Sequence, residues 1–461
     1  MGRLIIGATA SSSGKTTITI AILAKLMQLG FTVSGAKVGP DFIDPMFHKF
    51  ITGKDSINLD AFISGESHVN RLLVENSSGI DITIIEGVLG LFDGASIDES
   101  LSYDYRLRRS TRFLPFGSTA HIASITKTPV ILVVDTKSTV GSSVASVFGF
   151  LNINKALKIN GIILNNVANE SHLRSLNQAF YALNIPIVGH VFRNKNLLLE
   201  SRHLGLIPVD EFDDKALKRL EYITNTVSST LDFNKIVEIS KTAPPLVATP
   251  YCIKPVVKDI NIAVAKGKSF NFYYGINLKR FEQLGAELHY FDPLRDESLP
   301  DNIQGIYIGG GFPEIFAKEI ANNKPLLVNL KVLAKKGIPI FAECGGLLLL
   351  SKTLNDEPMA GVLPTNVKIT DKLTLGYVSA NIIRDTCISP AGGILKGHEY
   401  HYTNSSPSGN VAVFNSRHGI KKSGFQYKEV FGSYLHLHFG SDSTPVSHFL
   451  KKANRYKQLT T

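Results

Sequence analysis

Cysteine is scarce in this chain. Three occur in 461 residues, Cys252, Cys344 and Cys387, and their spacing suits neither a metal site nor a disulfide framework. An odd, scattered set fits a reducing, cytoplasmic setting. No apolar run approaches the length that spans a bilayer, so no membrane partner is expected. The start, Met1-Gly2-Arg3-Leu4-Ile5-Ile6, reads as a strand and not as a signal peptide, and Ile6 stands where myristoylation requires Ser or Thr. There is no internal repeat, no arginine-rich arm, and no low-complexity run apart from a polar C-terminal stretch. The net charge of +10 is spread along the chain. That distribution excludes a nucleic-acid footprint and leaves either simple solubility or attraction of a polyanionic small molecule.

What is present is ordinary globular material, 44% hydrophobic and 19% charged, and enough of it for two or three domains. Residues 1–240 alternate apolar strand-like runs with amphipathic stretches, the pattern of a parallel α/β sheet. Strands are expected at Arg3–Ala8, Thr32–Lys37, Ile82–Glu86, Pro129–Asp135, Gly161–Asn165 and Pro186–His190. Residues 241–258, with Pro244, Pro245, Pro250 and Pro255, read as a linker. A second α/β unit is expected over 259–452, with a β-rich stretch from about 375 to 435, followed by a tail over 453–461. The architecture is therefore α/β with two Rossmann-like domains.

The first strand runs into Thr9-Ala10-Ser11-Ser12-Ser13-Gly14-Lys15-Thr16-Thr17 and then a helix. Small residues let backbone amides wrap an anion, and the helix N-terminus adds its dipole. Ser13, Gly14, Lys15, Thr16 and Thr17 are thus candidate ATP contacts. Lys15 would reach the β and γ phosphates and the Thr16 hydroxyl would bind Mg²⁺. A strict phosphate-loop pattern has glycine at Thr9, so this is a variant. Lys37, Asp41 and Asp44 follow the second strand, Glu86 ends the third, and Asp93 lies in the loop beyond. Ligands of open parallel sheets gather at strand carboxyl ends, so these carboxylates could converge on the phosphates. Asp41 and Glu86 are candidate Mg²⁺ ligands, since that ion takes oxygen donors. Lys37, Asp44 and Asp93 are candidates for handling the substrate and an acyl phosphate. Asp41 and Asp44 could equally be loop caps beside Pro40 and Pro45.

In the second half, Ile338-Pro339-Ile340-Phe341-Ala342 reads as a buried strand and Gly345-Gly346-Leu347-Leu348 as a helix start. Cys344 would then sit on a tight turn at the positive end of a helix, a location that favours the thiolate. His436, in Gly432-Ser433-Tyr434-Leu435-His436, is the candidate base. His398, Glu399 and His401 either line a substrate pocket or are polar positions of a half-exposed strand.

Together these residues resemble the cobyrinate/cobyrate synthase family of ATP-dependent glutamine amidotransferases, in its a,c-diamide synthase branch. The resemblance also rests on Arg202-His203-Leu204-Gly205-Leu206, Gly309-Gly310-Gly311-Phe312-Pro313-Glu314 and Gly397-His398-Glu399-Tyr400-His401-Tyr402, and it covers nearly the whole chain. It implies an N-terminal dethiobiotin-synthetase-like amidoligase, with Asn165 as an adenine contact, and a C-terminal class I glutaminase. In the latter, Cys344 and His436 are catalytic and the amides of Gly310 and Gly311 bind the oxyanion. The implied partners are ATP, glutamine and a corrinoid or related acidic tetrapyrrole, with a homodimer left open. Class I glutaminases usually carry glutamate two residues after the catalytic histidine, and here His438 stands there. Cobyrinate, hydrogenobyrinate and Ni-sirohydrochlorin all remain open as substrates. A partitioning-type switch ATPase is the rival from another class; such proteins carry a second lysine where this chain has Ala10.

Overall fold

The computed structural model describes residues 2–94, 113–202, 205–249, 251 and 253–460. The chain divides into two compact units, residues 1–251 and 252–461. Unit 1 runs β1 (Gly2–Ala8), α1 (Lys15–Gln28), β2 (Val33–Val38), α2 (Ile43–Thr52), β3 (Ile57–Leu59), α3 (Glu66–Asn76) and β4 (Ile82–Glu86). It continues through α4 (Thr119–Thr126), β5 (Val130–Asp135), α5 (Gly141–Ile153), β6 (Ile159–Val167), α6 (Glu170–Phe180) and β7 (Ile187–Phe192). A short pair, β8 (Ser201–Arg202) with β9 (Gly205–Leu206), precedes α7 (Asp214–Ser228) and α8 (Phe233–Lys241).

Strands β1 to β7 form one sheet in the order β3-β2-β4-β1-β5-β6-β7, with every pair parallel. All seven residues of β1 are buried, because helices cover both faces of such a sheet and continuous apolar runs replace alternation. The six expected strands match β1, β2 and β4 to β7 within two residues at each end. The order places β2, β4 and β1 side by side, so the loops that leave their carboxyl ends meet. Lys37 near the end of β2, Glu86 at the end of β4 and the Ser13-Gly14-Lys15 turn after β1 therefore come together there.

Unit 2 runs β10 (Ile260–Ala265), α9 (Gly275–Gln283), β11 (Ala286–Phe291), β12 (Gly305–Ile308), α10 (Ala317–Asn322), α11 (Lys324–Lys336), β13 (Ile340–Glu343) and α12 (Gly345–Leu350). Then follow β14 (Thr353–Leu354), β15 (Glu357–Pro358), β16 (Asn366–Ile382), β17 (Ile394–Ser406), β18 (Ala412–Ser416) and β19 (Gly419–Ser423). The chain closes with β20 (Phe425–Tyr427), β21 (Val430–Ser433), β22 (His436–Leu437) and α13 (Thr444–Thr460). A six-stranded sheet has the order β11-β10-β12-β13-β21-β20, parallel except for β20. Its two faces carry different cores, as the period of two demands. Ile306, Ile308, Ile340 and Ala342 face α11 and α12, whereas Tyr307, Phe341 and Phe431 stack toward Phe281 and Phe449. A second sheet, β15-β14-β16-β17-β22 with β18 and β19 attached, begins at Thr353, and its long strand β16 starts at Asn366, ahead of the stretch expected from about 375.

The tail expected over 453–461 is a correction. Helix α13 continues to Thr460, because Val446, Phe449, Leu450, Ala453 and Tyr456 keep an apolar stripe at helical spacing that packs on the core. The polar composition of Lys451–Lys457 conceals that stripe. In the stretch expected as a linker, helix α8 ends at Lys241, and the amides of Val256 and Val257 already bond Leu284 O of unit 2.

Candidate active sites

In unit 1 the turn after β1 enters α1 through Gly14, whose left-handed backbone (φ 89°) suits glycine alone. The Thr16 hydroxyl donates to Glu86 Oε1 at 2.6 Å, and Lys15 Nζ donates to Leu89 O at 2.5 Å. Lys37 Nζ sits 2.6 Å from Asp44, 3.1 Å from Glu86 and 3.9 Å from Asp41. Three of the four expected carboxylates thus converge on one lysine. The fourth does not: Asp93 Oδ2 accepts from Gly90 N at 2.8 Å and closes its own loop. Asp41 does two things, since its Oδ1 also accepts from Ile43 N at 2.8 Å and caps the start of α2. Asn165 donates to Ser13 O at 2.8 Å and so braces the turn. Thr17 stands half-buried in the first turn of α1.

Burial opposes charge on Glu86, but Lys37, His48 and Thr16 together hold its carboxyl well below the usual range. Burial also works against Lys37, yet Asp44, Glu86 and Asp41 keep it charged. Burial, with Asp41 and Glu86, pushes Asp44 up, so Asp44 takes a proton before Glu86 does. Burial, then Lys37, lowers Lys15 to about 8.

Two residues of this network escaped the sequence reading. His48, fully buried on α2, lies with Nε2 2.9 Å from Glu86 Oε2 and Nδ1 3.0 Å from Ser56 Oγ. Its spacing of four from Asp44 puts both on one face of α2, and that was the available signal. Asn58, on β3, donates to Gly39 O and Asp41 O at 2.9 and 2.8 Å and pins the loop after β2. A three-residue strand gives no periodicity to find it by.

In unit 2, Cys344 joins β13 to α12 in a strained left-handed backbone (φ 43°, ψ −95°). Its amide donates to Ser433 O at 2.7 Å, across the parallel pair β13 and β21. His436 follows on β22, paired opposite His398 of β17. A Cβ at Gly310 would come 2.6 Å from His436 Cε1, so glycine there makes room for the imidazole. The backbone of Gly310 is also 3.4 Å from where a Gly345 Cβ would stand, so elbow and histidine meet over this one residue.

The expected oxyanion pair needs adjustment. Gly310 N donates to Phe272 O at 3.3 Å, which commits that amide to a bridge. Gly311 N faces the elbow instead, 3.2 Å from a Cβ placed on Gly345. The expected thiolate is also revised. Helix α12 has only six residues, and burial, reinforced by Glu314, Glu399 and Glu343, pushes the Cys344 thiol well above its ordinary value. Burial, with His398 and His401, holds His436 well below its own. Both shifts favour a neutral thiol and a neutral imidazole at rest.

No glutamate follows His436, but one approaches from the opposite side. Glu343, at the end of β13, accepts Leu437 N at 2.7 Å and lies 2.7 Å from the Tyr307 hydroxyl. It grips the backbone beside His436 and not the imidazole. Burial raises its carboxyl to about 8. His438 packs edge-on against Tyr274, 4.9 Å between ring centres, and its Nδ1 accepts from Gly440 N at 3.3 Å. Among the described residues, no group of three or more His, Cys, Asp or Glu is arranged to hold a metal, and no helix is long and apolar enough to cross a membrane.

Residues 4–207 match the family described as the CobQ/CobB/MinD/ParA nucleotide binding domain, and residues 261–444 match the CobB/CobQ-like glutamine amidotransferase domain. The chain is 36% identical to the cobyrinate a,c-diamide synthase of Caldanaerobacter subterraneus subsp. tengcongensis, over 98% of both chains. It is 37% identical to that of Synechocystis, over 97% of this chain and 92% of the relative. It is 34% identical to the hydrogenobyrinate a,c-diamide synthase of Streptomyces coelicolor, over 98% and 97%. Similarity of this extent runs through both units and both candidate sites, and the chain belongs to the cobyrinate and hydrogenobyrinate a,c-diamide synthase family.

Proposed function

We propose that this protein converts the a and c carboxylates of cobyrinate to amides, with ATP and glutamine as co-substrates. The observation that carries the reading is the presence in one chain of two unlike sites. One is a lysine and carboxylate cluster beside a phosphate-type turn; the other is a buried Cys–His elbow.

A carboxylate is a poor acceptor for ammonia because its oxygen is a hopeless leaving group. Its oxygen attacks the γ-phosphorus of ATP, the bond to ADP breaks, and an acyl phosphate forms. Lys15 and Lys37 offset the charge that develops in this transfer, where positioning and electrostatics supply most of the rate. Thr16 and Glu86 present hard oxygen donors 2.6 Å apart, and Glu86 stays ionised, which fits Mg²⁺. Asp41 is the next oxygen donor, with phosphate and water completing the set; the ion would supply further neutralisation of phosphate charge. Ammonia then attacks the acyl carbon and phosphate departs.

The ammonia originates in unit 2. His436 takes the Cys344 proton as sulfur attacks the glutamine side-chain amide, and returns it to the departing nitrogen. The Gly311 and Gly345 amides stabilise the oxyanion, and water hydrolyses the γ-glutamyl thioester to glutamate. The described cysteines, Cys344 and Cys387, are free thiols, in keeping with a cytoplasmic reaction.

The Streptomyces relative's name supports hydrogenobyrinate as a second reading of the substrate. Purified protein supplied with ATP, Mg²⁺, glutamine and either corrinoid, or with Ni-sirohydrochlorin, tests the assignment. The expected result is stoichiometric ADP and a diamide with cobyrinate. Amidation confined to another tetrapyrrole would replace cobyrinate, and ATP hydrolysis with no amide from any of them would overturn the function.

A further inference from the structure

Little regular structure holds the segment that carries His436. Strand β22 is only two residues long, His436 and Leu437, and it lies at the edge of its sheet beside β17. The glutamate usual two residues further on is replaced by His438, whose ring packs on Tyr274. Something else must therefore set where the imidazole points.

Buried side chains take the place of a neighbouring strand. Asn277, wholly buried on α9, donates from Nδ2 to Leu437 O at 2.7 Å and accepts from Phe439 N at Oδ1, also at 2.7 Å. A carboxamide offers the donor and the acceptor of a peptide group, so one side chain does here what the backbone of a strand would do. Glu343 takes Leu437 N at 2.7 Å, so side chains hold both polar backbone groups of the residue after His436. Arg280 lies three residues beyond Asn277, on the same face of α9, and donates to Gly440 O at 2.9 Å. Asn277 is the member of this set that bonds the chain at two points, one and three residues past His436.

We propose that Asn277 is a positioning residue for the glutaminase reaction: it clamps the backbone beyond His436 so that the imidazole meets the Cys344 thiol, the task that class I glutaminases usually give to a glutamate. The assignment rests on the glutaminase reading of unit 2. Asn277 acts through His436 and not on glutamine, because both ends of its amide are committed to the backbone. Its loss must therefore appear in turnover and not in binding.

The test is a mutant cycle in the full chain. Asn277→Ala should lower kcat for glutamine hydrolysis about 10–10²-fold, the cost of a displaced proton acceptor, and change the glutamine KM by less than about threefold. In a His436→Asn background the same substitution should cost almost nothing more, because the group it aims is gone. General support of the fold would instead give losses that add. Asn277→Asp keeps the volume and the acceptor for Phe439 N, and should fall between the wild type and the alanine variant. It carries the same cycle if the alanine protein does not fold. An unchanged kcat in a folded variant, or an equal fold-loss with and without His436, overturns the proposal. A wild-type protein without glutaminase activity would sink the reading of unit 2 itself, and is a separate result.

Discussion

Glu86 and Glu343 occupy the same place in two sheets, the last residue of a central parallel strand, and both are buried. Their charges differ. Burial alone would neutralise either one. Lys37, His48 and Thr16 reverse that at Glu86, whereas Glu343 has only the Tyr307 hydroxyl and the Leu437 amide and is raised to about 8. Strand position decides where a carboxylate stands; its partners decide whether it is charged. The difference suits the chemistry, because a fixed anion serves phosphate and Mg²⁺, while a permanent anion beside Cys344 would oppose formation of the thiolate.

Removing the charge at Glu86 tests this comparison most severely. Glu86→Gln, like Lys15→Ala, should lower amidation roughly 10²–10³-fold or more with either glutamine or ammonium salt, while glutamine hydrolysis persists. Normal amidation by a folded Glu86→Gln protein would remove the charged glutamate from the mechanism. Cys344→Ser has a narrower effect, abolishing glutamine-dependent amidation but sparing the ammonium-driven reaction; loss of both would mean that the two sites are not separable. His436→Asn should cost about 10²–10⁴ in glutaminase rate. His438→Ala should be milder, because its ring faces Tyr274, and the opposite order would reassign the base.

The smallest effect is on stability. Between pH 4.5 and about 8 the folded chain keeps a proton on Glu343 that the unfolded chain has lost. That contribution is complete below 4.5 and fades as pH rises toward 8. Glutamine mimics the protonated side chain, so Glu343→Gln should flatten the fall in denaturant midpoint across this window. For Glu86 the sign is opposite: its contribution is present above 4.5 and is lost as pH falls through the depressed folded value. A Glu343→Gln protein with the wild-type slope would show that the carboxyl is ionised after all.

The sequence made the parallel strands legible because β1, β4 and β5 are dominated by Ile, Leu and Val, and Gly14-Lys15-Thr16 and Cys344-Gly345-Gly346 mark turns that few other residues allow. His48 was legible only through its helical spacing from Asp44, which a core histidine would share, and Asn58 not at all, since a three-residue strand carries no periodicity. The Gly310 amide could not be judged from sequence either, because its partner Phe272 is remote in the chain. Likewise, the thiol's acidity depends first on its burial and then on Glu314 and Glu399, which folding brings near it from remote parts of the chain.

The backbone at Cys344 has one more consequence. A left-handed conformation costs any residue with a Cβ on the order of 1–3 kcal/mol, and glycine would relieve much of it. Thermal tolerance and catalysis therefore favour different residues at this one position. Cys344→Gly should raise the melting temperature while destroying the nucleophile, so enrichment of variants for heat resistance alone would drive this elbow toward an inert protein.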